Sequence, residues 1–251
     1  MVMAKPKITR FFDNTDLAER IHISRGQMRG IQAVHKFGAV PSMSNGVTGT
    51  VWDKPDTKYP WATWATPGVL TVNTTTANGS VSTLDSGLSI TIVGLDENFL
   101  EQTETITISG STGTGTKTFA RVYRAFTSAT NQTRFVVSRN GTEVLRVSIE
   151  KAQTLMAIYT VPAGRRGYLV QGTASIQSGA DATVDMFIRY GGTGAFRIGH
   201  TLEISGTGGQ YQYDFTIPTE LPERTDIDVR ASMRSNNARL TAAFDVILLD
   251  Y

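Results

Sequence analysis

The sequence predicts an all-β fold, with jelly-roll-like antiparallel sandwich domains and an extended N-terminal arm. Composition is the first observation: 24 glycines among 251 residues and frequent threonine favour strands and tight turns, because β-branched side chains suit a pleated surface and glycine accepts positive φ. The second is a period of two in the apolar side chains, which is typical of strands with one buried face. The third is the Asn140-Gly141 pair, a strong hairpin signal.

Residues 1–60 are predicted to form the arm, with one short helix possible between Asp13 and Ile23. The stretch has no sustained hydrophobic period and is interrupted by several glycines and prolines. Long segments without regular structure are uncommon in compact domains and are usually functional or disordered. We therefore expect the arm to become ordered against a neighbouring subunit. The alternative is a set of loops packed on the chain's own sheets.

Strand patterns dominate the remaining sequence. Residues 61–130 are predicted to form a small β domain, and residues 131–251 a jelly-roll-like β-sandwich, because turn signals recur there at the spacing of a sandwich or barrel. Two segments of the second domain alternate apolar and polar residues clearly, so one face of each is expected in a core and the other in water or an interface. Their apolar positions are Tyr211, Tyr213, Phe215 and Ile217, and Ile227, Val229, Ala231 and Met233.

Charge and cysteine content limit the classes of function. The formal net charge is only +2, from 24 basic and 22 acidic residues, whereas nucleic-acid binding normally requires a basic excess. Cysteine is absent, which excludes disulfides and thiolate metal sites. The N-terminus lacks the apolar core of a secretory signal, and no apolar run is long enough to span a membrane. We expect neither a nucleic-acid nor a membrane partner.

No pattern indicates catalysis, a metal or a cofactor. The three histidines, His22, His35 and His200, are far apart and lack metal-ligand spacing. The glycine-rich run 110–118 resembles a phosphate-binding loop, but Thr116 separates the last glycine from Lys117 and a strand follows where a helix is needed. The acidic cluster within residues 96–104 lacks the ligand order of a calcium loop, so a solvated turn is the better interpretation. The chain is therefore predicted not to be an enzyme.

Arginine and aromatic residues supply the candidate partner-binding positions. Arginine outnumbers lysine, and arginine is enriched at protein interfaces because its planar guanidinium forms paired hydrogen bonds. Trp61 and Trp64, near the end of the arm, either plug the sandwich or anchor a partner. The residues predicted to bind partners are Phe11, Phe12, His35, Phe37, Arg165 and Arg166.

Several short segments resemble predicted virion proteins of marine and freshwater tailed phages. They occur in the same order, within residues 30–170: Val34-His35-Lys36-Phe37-Gly38, Val93-Gly94-Leu95-Asp96-Glu97-Asn98, Glu104-Thr105-Ile106-Thr107-Ile108, Phe119-Ala120-Arg121-Val122-Tyr123-Arg124-Ala125 and Ile158-Tyr159-Thr160-Val161-Pro162-Ala163-Gly164. The resemblance implies a virion location and carries no catalytic residue with it.

These observations favour a phage virion structural protein: a fibre, decoration or connector subunit at the head, neck or tail. We expect it to be assembled in the host cytoplasm as a homo-oligomer of cyclic symmetry, and to dock onto other virion proteins through its arm. The alternative is a receptor- or carbohydrate-binding tail module, since jelly rolls also serve as lectins and Trp61, Trp64, Tyr211 or Tyr213 could stack on sugar rings. A hydrolase of host surface polymer is the third hypothesis.

Overall fold

The computed structural model describes residues 17–177, 179–206 and 209–251. Antiparallel strands dominate, which confirms the predicted all-β class. One α-helix, α1 (Leu17–Ser24), precedes the strands, and short 3-10 helices occupy Trp61–Ala65 and Tyr190–Gly192. The strands are β1 (Ile31–Met43), β2 (Thr48–Thr50), β3 (Thr71–Thr75), β4 (Ser89–Leu95), β5 (Glu101–Thr107), β6 (Thr112–Thr114), β7 (Arg121–Thr127), β8 (Arg134–Arg139), β9 (Thr142–Val147), β10 (Ile158–Thr160), β11 (Arg165–Ile176), β12 (Asp181–Arg189), β13 (Arg197–Ile204), β14 (Gln210–Leu221), β15 (Asp226–Ser235) and β16 (Ala238–Asp250).

Nine of these strands form a jelly roll. One sheet has the order β1-β16-β11-β14, and the facing sheet has the order β10-β15-β12-β13 with β2 also on β15. If β2 and β10 are taken together as the second strand, the two sheets have the orders first-eighth-third-sixth and second-seventh-fourth-fifth. That is the connectivity of an eight-stranded jelly roll with two Greek keys.

The second strand of the jelly roll is split by an insertion. β2 pairs with residues 230–232 of β15 and β10 pairs with residues 226–228, so both lie along one side of the same strand. Val229, between these two stretches, accepts a hydrogen bond from the amide of Val51 (2.8 Å) and donates its own N–H to Ala157 (3.1 Å). The chain therefore leaves the jelly roll after Thr50 and returns before Ile158 at nearly the same point.

The inserted residues 51–157 contain a smaller β-sandwich. Its sheets have the orders β6-β3-β8-β9 and β5-β4-β7. The Asn140-Gly141 turn joins β8 and β9, with both residues at positive φ (49° and 76°) as the hairpin signal predicts. The buried apolar side chains of the insertion and the jelly roll belong to one continuous core cluster.

The predicted domain boundaries differ from this arrangement. Residues 31–43, expected within an extended arm, form β1 and pair with β16 from Ile31↔Leu249 onward. Residues 134–147, expected in the jelly roll, belong to the inserted sandwich. Both differences have one cause: the jelly roll is assembled from two distant parts of the chain. Residues 31–60 therefore pack on the chain's own sheets, which was the alternative to an extended arm. Residues 1–16 of the predicted arm lie outside the described part.

Candidate functional site

The jelly roll has an open edge between β13 and β14. Residues directly opposite each other in a ladder point to the same face, and Tyr211 and Tyr213 lie opposite the buried Ala174 and Gly172 of β11. The apolar side of β14 therefore faces into the sandwich, as its alternation predicts. The two tyrosines nevertheless remain 44% and 39% exposed, because β14 is the last strand of its sheet.

Aromatic side chains partly close this edge. The His200 ring from β13 lies 4.4 Å from the Tyr213 ring and 5.4 Å from the Phe215 ring, measured between centroids. Burial lowers the pKa of His200, so the imidazole is favoured in its neutral form and acts here as an aromatic spacer. Tyr211 remains outside the cluster.

A wide bulge in β14 presents an isoleucine to solvent. The register with β11 moves from Leu169↔Thr219 directly to Gln171↔Asp214, so residues 215–218 oppose a single residue. Bulges redirect side chains away from the regular ladder, and Ile217 within this one is 85% exposed. Ile198 on β13 is also exposed. We define the open edge as Tyr211, Tyr213 and Ile217 of β14; exposed apolar surface of this kind is typical of an interaction site.

At the other side of the same sheet, a cleft runs beside β1. It has a volume of about 400 Å³ and separates β1 from the β5-β4-β7 sheet of the insertion. Two predicted partner-binding residues, His35 and Phe37, line it. His35 Nδ1 lies 2.5 Å from a carboxylate oxygen of Asp245, and the His35 and Phe37 rings stack with centroids 6.0 Å apart.

The other predicted partner-binding residues are not at this cleft. Arg165 pairs with Asp250 at 3.2 Å, and both residues line a second pocket together with the loop that follows α1. Arg166 pairs with Glu220 at 3.3 Å, and its guanidinium lies 5.0 Å from the centroid of the Tyr251 ring. Phe11 and Phe12 lie outside the described residues. Among the four members of the predicted set that the structure describes, His35 and Phe37 lie together at the cleft.

Lys36 is a buried cation in the wall of the cleft. Its ammonium donates a hydrogen bond to the carbonyl oxygen of Tyr123 and lies 5.5 Å from the centroid of that ring. Burial, together with repulsion by Arg124, lowers the pKa of Lys36 to about 7. Sequence analysis missed this residue, because lysine in an edge strand is ordinarily solvated and only the folded insertion covers it.

The lowered pKa of Lys36 makes stability depend on pH. The unfolded chain keeps this proton up to pH about 10.4, whereas the folded chain releases it near 7. The unfolded state therefore binds more protons between these values, and stability rises with pH across that window. We expect the gain from this group between pH 7 and 9.5 to be about 3 kcal/mol.

The variant Lys36→Met should lack that gain and should be more stable than the wild type at pH 7. Urea denaturation of both proteins at the two pH values measures the difference. The raised pKa of Asp53, about 7 because of burial, affects both proteins equally and cancels in the comparison. Lys58→Met, at an exposed lysine, is the control and should behave as wild type. An unchanged pH dependence in Lys36→Met would contradict the assignment.

The junction between insertion and jelly roll is held by a buried ionic network. Asp226 on β15 is fully buried. It accepts hydrogen bonds from Arg121 of the insertion (Nε, 2.9 Å), from Arg189 of β12 (2.6 Å) and from the Thr160 hydroxyl (2.6 Å). Each carboxylate oxygen therefore has a charged partner, which buried carboxylates require.

Asp228, two residues further along β15, completes the network. It accepts hydrogen bonds from Thr50 (2.8 Å), from the Trp61 indole (2.9 Å) and from Arg230 (2.7 Å). Burial raises the pKa of Asp228. Trp61 and Trp64 are both buried, so they form a local core at the junction. This excludes them as sugar-stacking residues in the described fold.

The remaining polar clusters have structural partners. Glu104 accepts hydrogen bonds from the backbone N–H groups of Thr116 (2.5 Å) and Lys117 (3.0 Å), so a carboxylate of the protein occupies the glycine-rich run that resembles a phosphate loop. Asp96 closes its own turn by accepting from the amides of Asn98 and Leu100. Within the described ranges, no three histidine, aspartate or glutamate residues are grouped as metal ligands would be.

Comparison with known proteins gives only weak structural similarity. No protein-family model matches the chain, and no curated protein matches it. The structure of the infectious bursal disease virus Gt strain is 9% identical, and the match covers 87% of this chain and 70% of that chain at a TM-score of 0.23. For the Gx strain the corresponding values are 9%, 88%, 71% and 0.21. TM-scores this low carry no functional argument. In the described part of the chain, no helix has the length and apolarity to cross a membrane.

Proposed function

We propose that this protein is a structural subunit of a phage virion that works by associating with copies of itself and with other virion proteins. The single observation that supports the proposal best is the open edge, where inward-facing side chains of β14 are uncovered in the isolated chain. A second subunit packed there would complete the sandwich and remove the aromatic and aliphatic surface from water. The segment resemblance to tailed-phage virion proteins supports the same role.

The proposed subunit is a fibre, decoration or connector protein at the head, neck or tail, assembled in the host cytoplasm. A contact that joins the open edge to a different surface of the next copy is heterologous, and such contacts close into rings when the rotation permits. Cyclic symmetry is therefore part of the proposal. The chemistry is non-enzymatic: the polar groups of the junction are engaged in mutual hydrogen bonds, and the role is mechanical.

Self-association through the open edge is tested with Ile217→Asp. Wild-type protein should have a solution mass well above the 27.3 kDa of one chain, and the variant should associate at least about 30-fold more weakly, the loss typical of an interface hot spot. Mass photometry and sedimentation across concentrations measure both. Val81→Asp is the matched control, because Val81 is an exposed aliphatic residue of the inserted sandwich. A monomeric wild type, or association unaffected by Ile217→Asp, would contradict the proposal.

Docking through the N-terminal arm is tested with a truncated chain and purified particles. A chain that begins at Leu17 retains every element of the described structure, so it should keep the wild-type melting temperature. If Phe11 and Phe12 help to attach the protein, this chain should be depleted from purified virions relative to full-length protein, as judged by quantitative mass spectrometry. If the truncated and full-length proteins are incorporated equally, the arm does not attach the protein to the virion.

Glycan binding is the second candidate, and the exposure of Tyr211 and Tyr213 is the observation that favours it. Exposed aromatic rings can stack on sugars, and jelly rolls include lectins. Binding to host surface glycans on an array that is lost in Tyr211→Ala would support this alternative. If the protein binds no glycan on the array, the structural role is the better explanation of the open edge.

A further inference from the structure

The edge of β1 that faces the cleft has backbone groups available for pairing. Gly30 accepts a hydrogen bond from the amide of Asp250, and hydrogen-bonded pairs alternate along an antiparallel ladder. In the register of β1 with β16, even-numbered residues therefore bond to β16. Ala33, His35 and Phe37 direct their N–H and C=O groups to the opposite side, into the cleft.

The insertion closes this edge at one end. Ala39, the next odd-numbered residue, donates its N–H to Leu155 at 3.4 Å. Between residues 33 and 37 the edge spans about 14 Å, at the usual rise of a strand, and the cleft is lined continuously by residues 32–37. The opposite wall contains Val93, Tyr123 and Arg124. This shape accommodates one extended segment beside β1 rather than a whole sheet.

The cleft also has excess positive charge. In the described part of the chain, no carboxylate lies within 4 Å of the Lys36 ammonium, whose hydrogen bond goes to a backbone carbonyl, and Arg124 adds a second cation. Glu101, which accepts from the Tyr123 hydroxyl at 3.3 Å, is the carboxylate among the lining residues, so the two cations exceed it by one charge. The Tyr159 hydroxyl is buried and has no partner among the same residues. The Lys36 ammonium has three donors, one of which is used by the Tyr123 carbonyl, and a buried hydroxyl also requires a partner. An anionic group would accept from both.

We propose that the cleft binds an extended acidic segment of another virion protein, which adds a strand to the free edge of β1 and places a carboxylate near Lys36. Strand addition obtains affinity from backbone hydrogen bonds and specificity from alternate side chains. Here the backbone of Ala33, His35 and Phe37 supplies the hydrogen bonds, and Lys36 selects the acidic side chain. This inference rests on the proposed function for the identity of the partner, although the site itself can be tested without particles.

The probes are two capped hexapeptides of alternating threonine and valine, one with a central glutamate and one with glutamine in its place. Isothermal titration calorimetry on the full chain should show the glutamate peptide binding about tenfold more tightly or better, the value of one charge-assisted contact. Lys36→Met should reduce that preference to about one. Equal binding of the two peptides to wild type, or no binding of either at millimolar concentration, would overturn the proposal.

Strand addition is tested separately by Ala33→Pro. Proline removes an N–H that points away from β16, and proline is tolerated at such edge positions, so the fold should be retained. Both peptides should bind at least tenfold more weakly, whereas Ala33→Ser, which keeps the N–H, should bind as wild type. Unchanged binding in Ala33→Pro would show a site for a small anion and not for a strand. Peptide binding by a protein absent from virions would refute the proposed function and leave the cleft assignment standing.

Discussion

Replacing Asp226 with asparagine is expected to lower the free energy of unfolding by about 3–5 kcal/mol, the cost of removing one partner from a buried ion pair. Asparagine has nearly the same size but no charge, and Arg121 and Arg189 would remain buried without their counterion. Urea denaturation followed by tryptophan fluorescence measures the loss. Trp61 reports on this site directly, because its indole donates to the neighbouring Asp228.

Asp250→Asn is the matched control for that variant. Asp250 also pairs with an arginine, Arg165, but its side chain is 52% exposed, and surface ion pairs contribute only about 0–1 kcal/mol. The two variants thus remove the same chemical group from a buried and a solvated pair. A loss below about 1 kcal/mol in Asp226→Asn would show that the network does not hold the insertion onto the jelly roll.

Replacing Gly38 with alanine is expected to destabilise the protein by about 3 kcal/mol or more, at the upper end of the cost of overpacking. An added Cβ would lie 2.2 Å from the carbonyl oxygen of Val51 and 2.5 Å from the amide nitrogen of Ala157. Both atoms are backbone, so neither can rotate away. They are also the two atoms that hydrogen-bond to each other across the entry and exit of the insertion (2.9 Å), and β1 would have to separate from them.

Gly172→Ala is the control for this prediction. Gly172 lies in β11, also within the jelly roll, and a Cβ there meets nothing within 4 Å. Alanine should therefore be neutral or slightly stabilising at this position, because it reduces the conformational entropy of the unfolded chain. Thermal melts of the two variants should differ by many degrees. Equal melting temperatures would mean that β1 and the insertion do not approach as closely as the structure shows.

Features of this fold that depend on neighbouring residues can be predicted from the sequence. Strand periodicity predicts the buried apolar face of β15, and the Asn140-Gly141 pair locates a hairpin, because both signals depend on residues that are close in the chain. The pairing of β1 with β16 joins residues that are far apart in the chain, such as Ile31 and Leu249, and no local pattern encodes it. Residues 31–60 consequently resembled an arm.

The polar face of β15 is a second feature that the sequence does not predict. Asp226 and Asp228 alternate with apolar residues, which indicates a strand face in water or an interface, yet both are fully buried. Their burial follows from the insertion covering that face, and only the tertiary structure shows it. Ile217 was predicted to face a core, and its exposure follows from the bulge and from the position of β14 at the end of its sheet.

The split second strand has a consequence for biosynthesis. The inserted sandwich is made entirely from contiguous residues, so its strands can pair as soon as they leave the ribosome. The jelly roll joins its first strand to its last, and it must wait until β16 has been synthesised. A nascent chain would therefore carry the paired strands of the insertion within an incomplete jelly roll, and the surface for joining neighbours would form only after β16 has paired with β1 and β11.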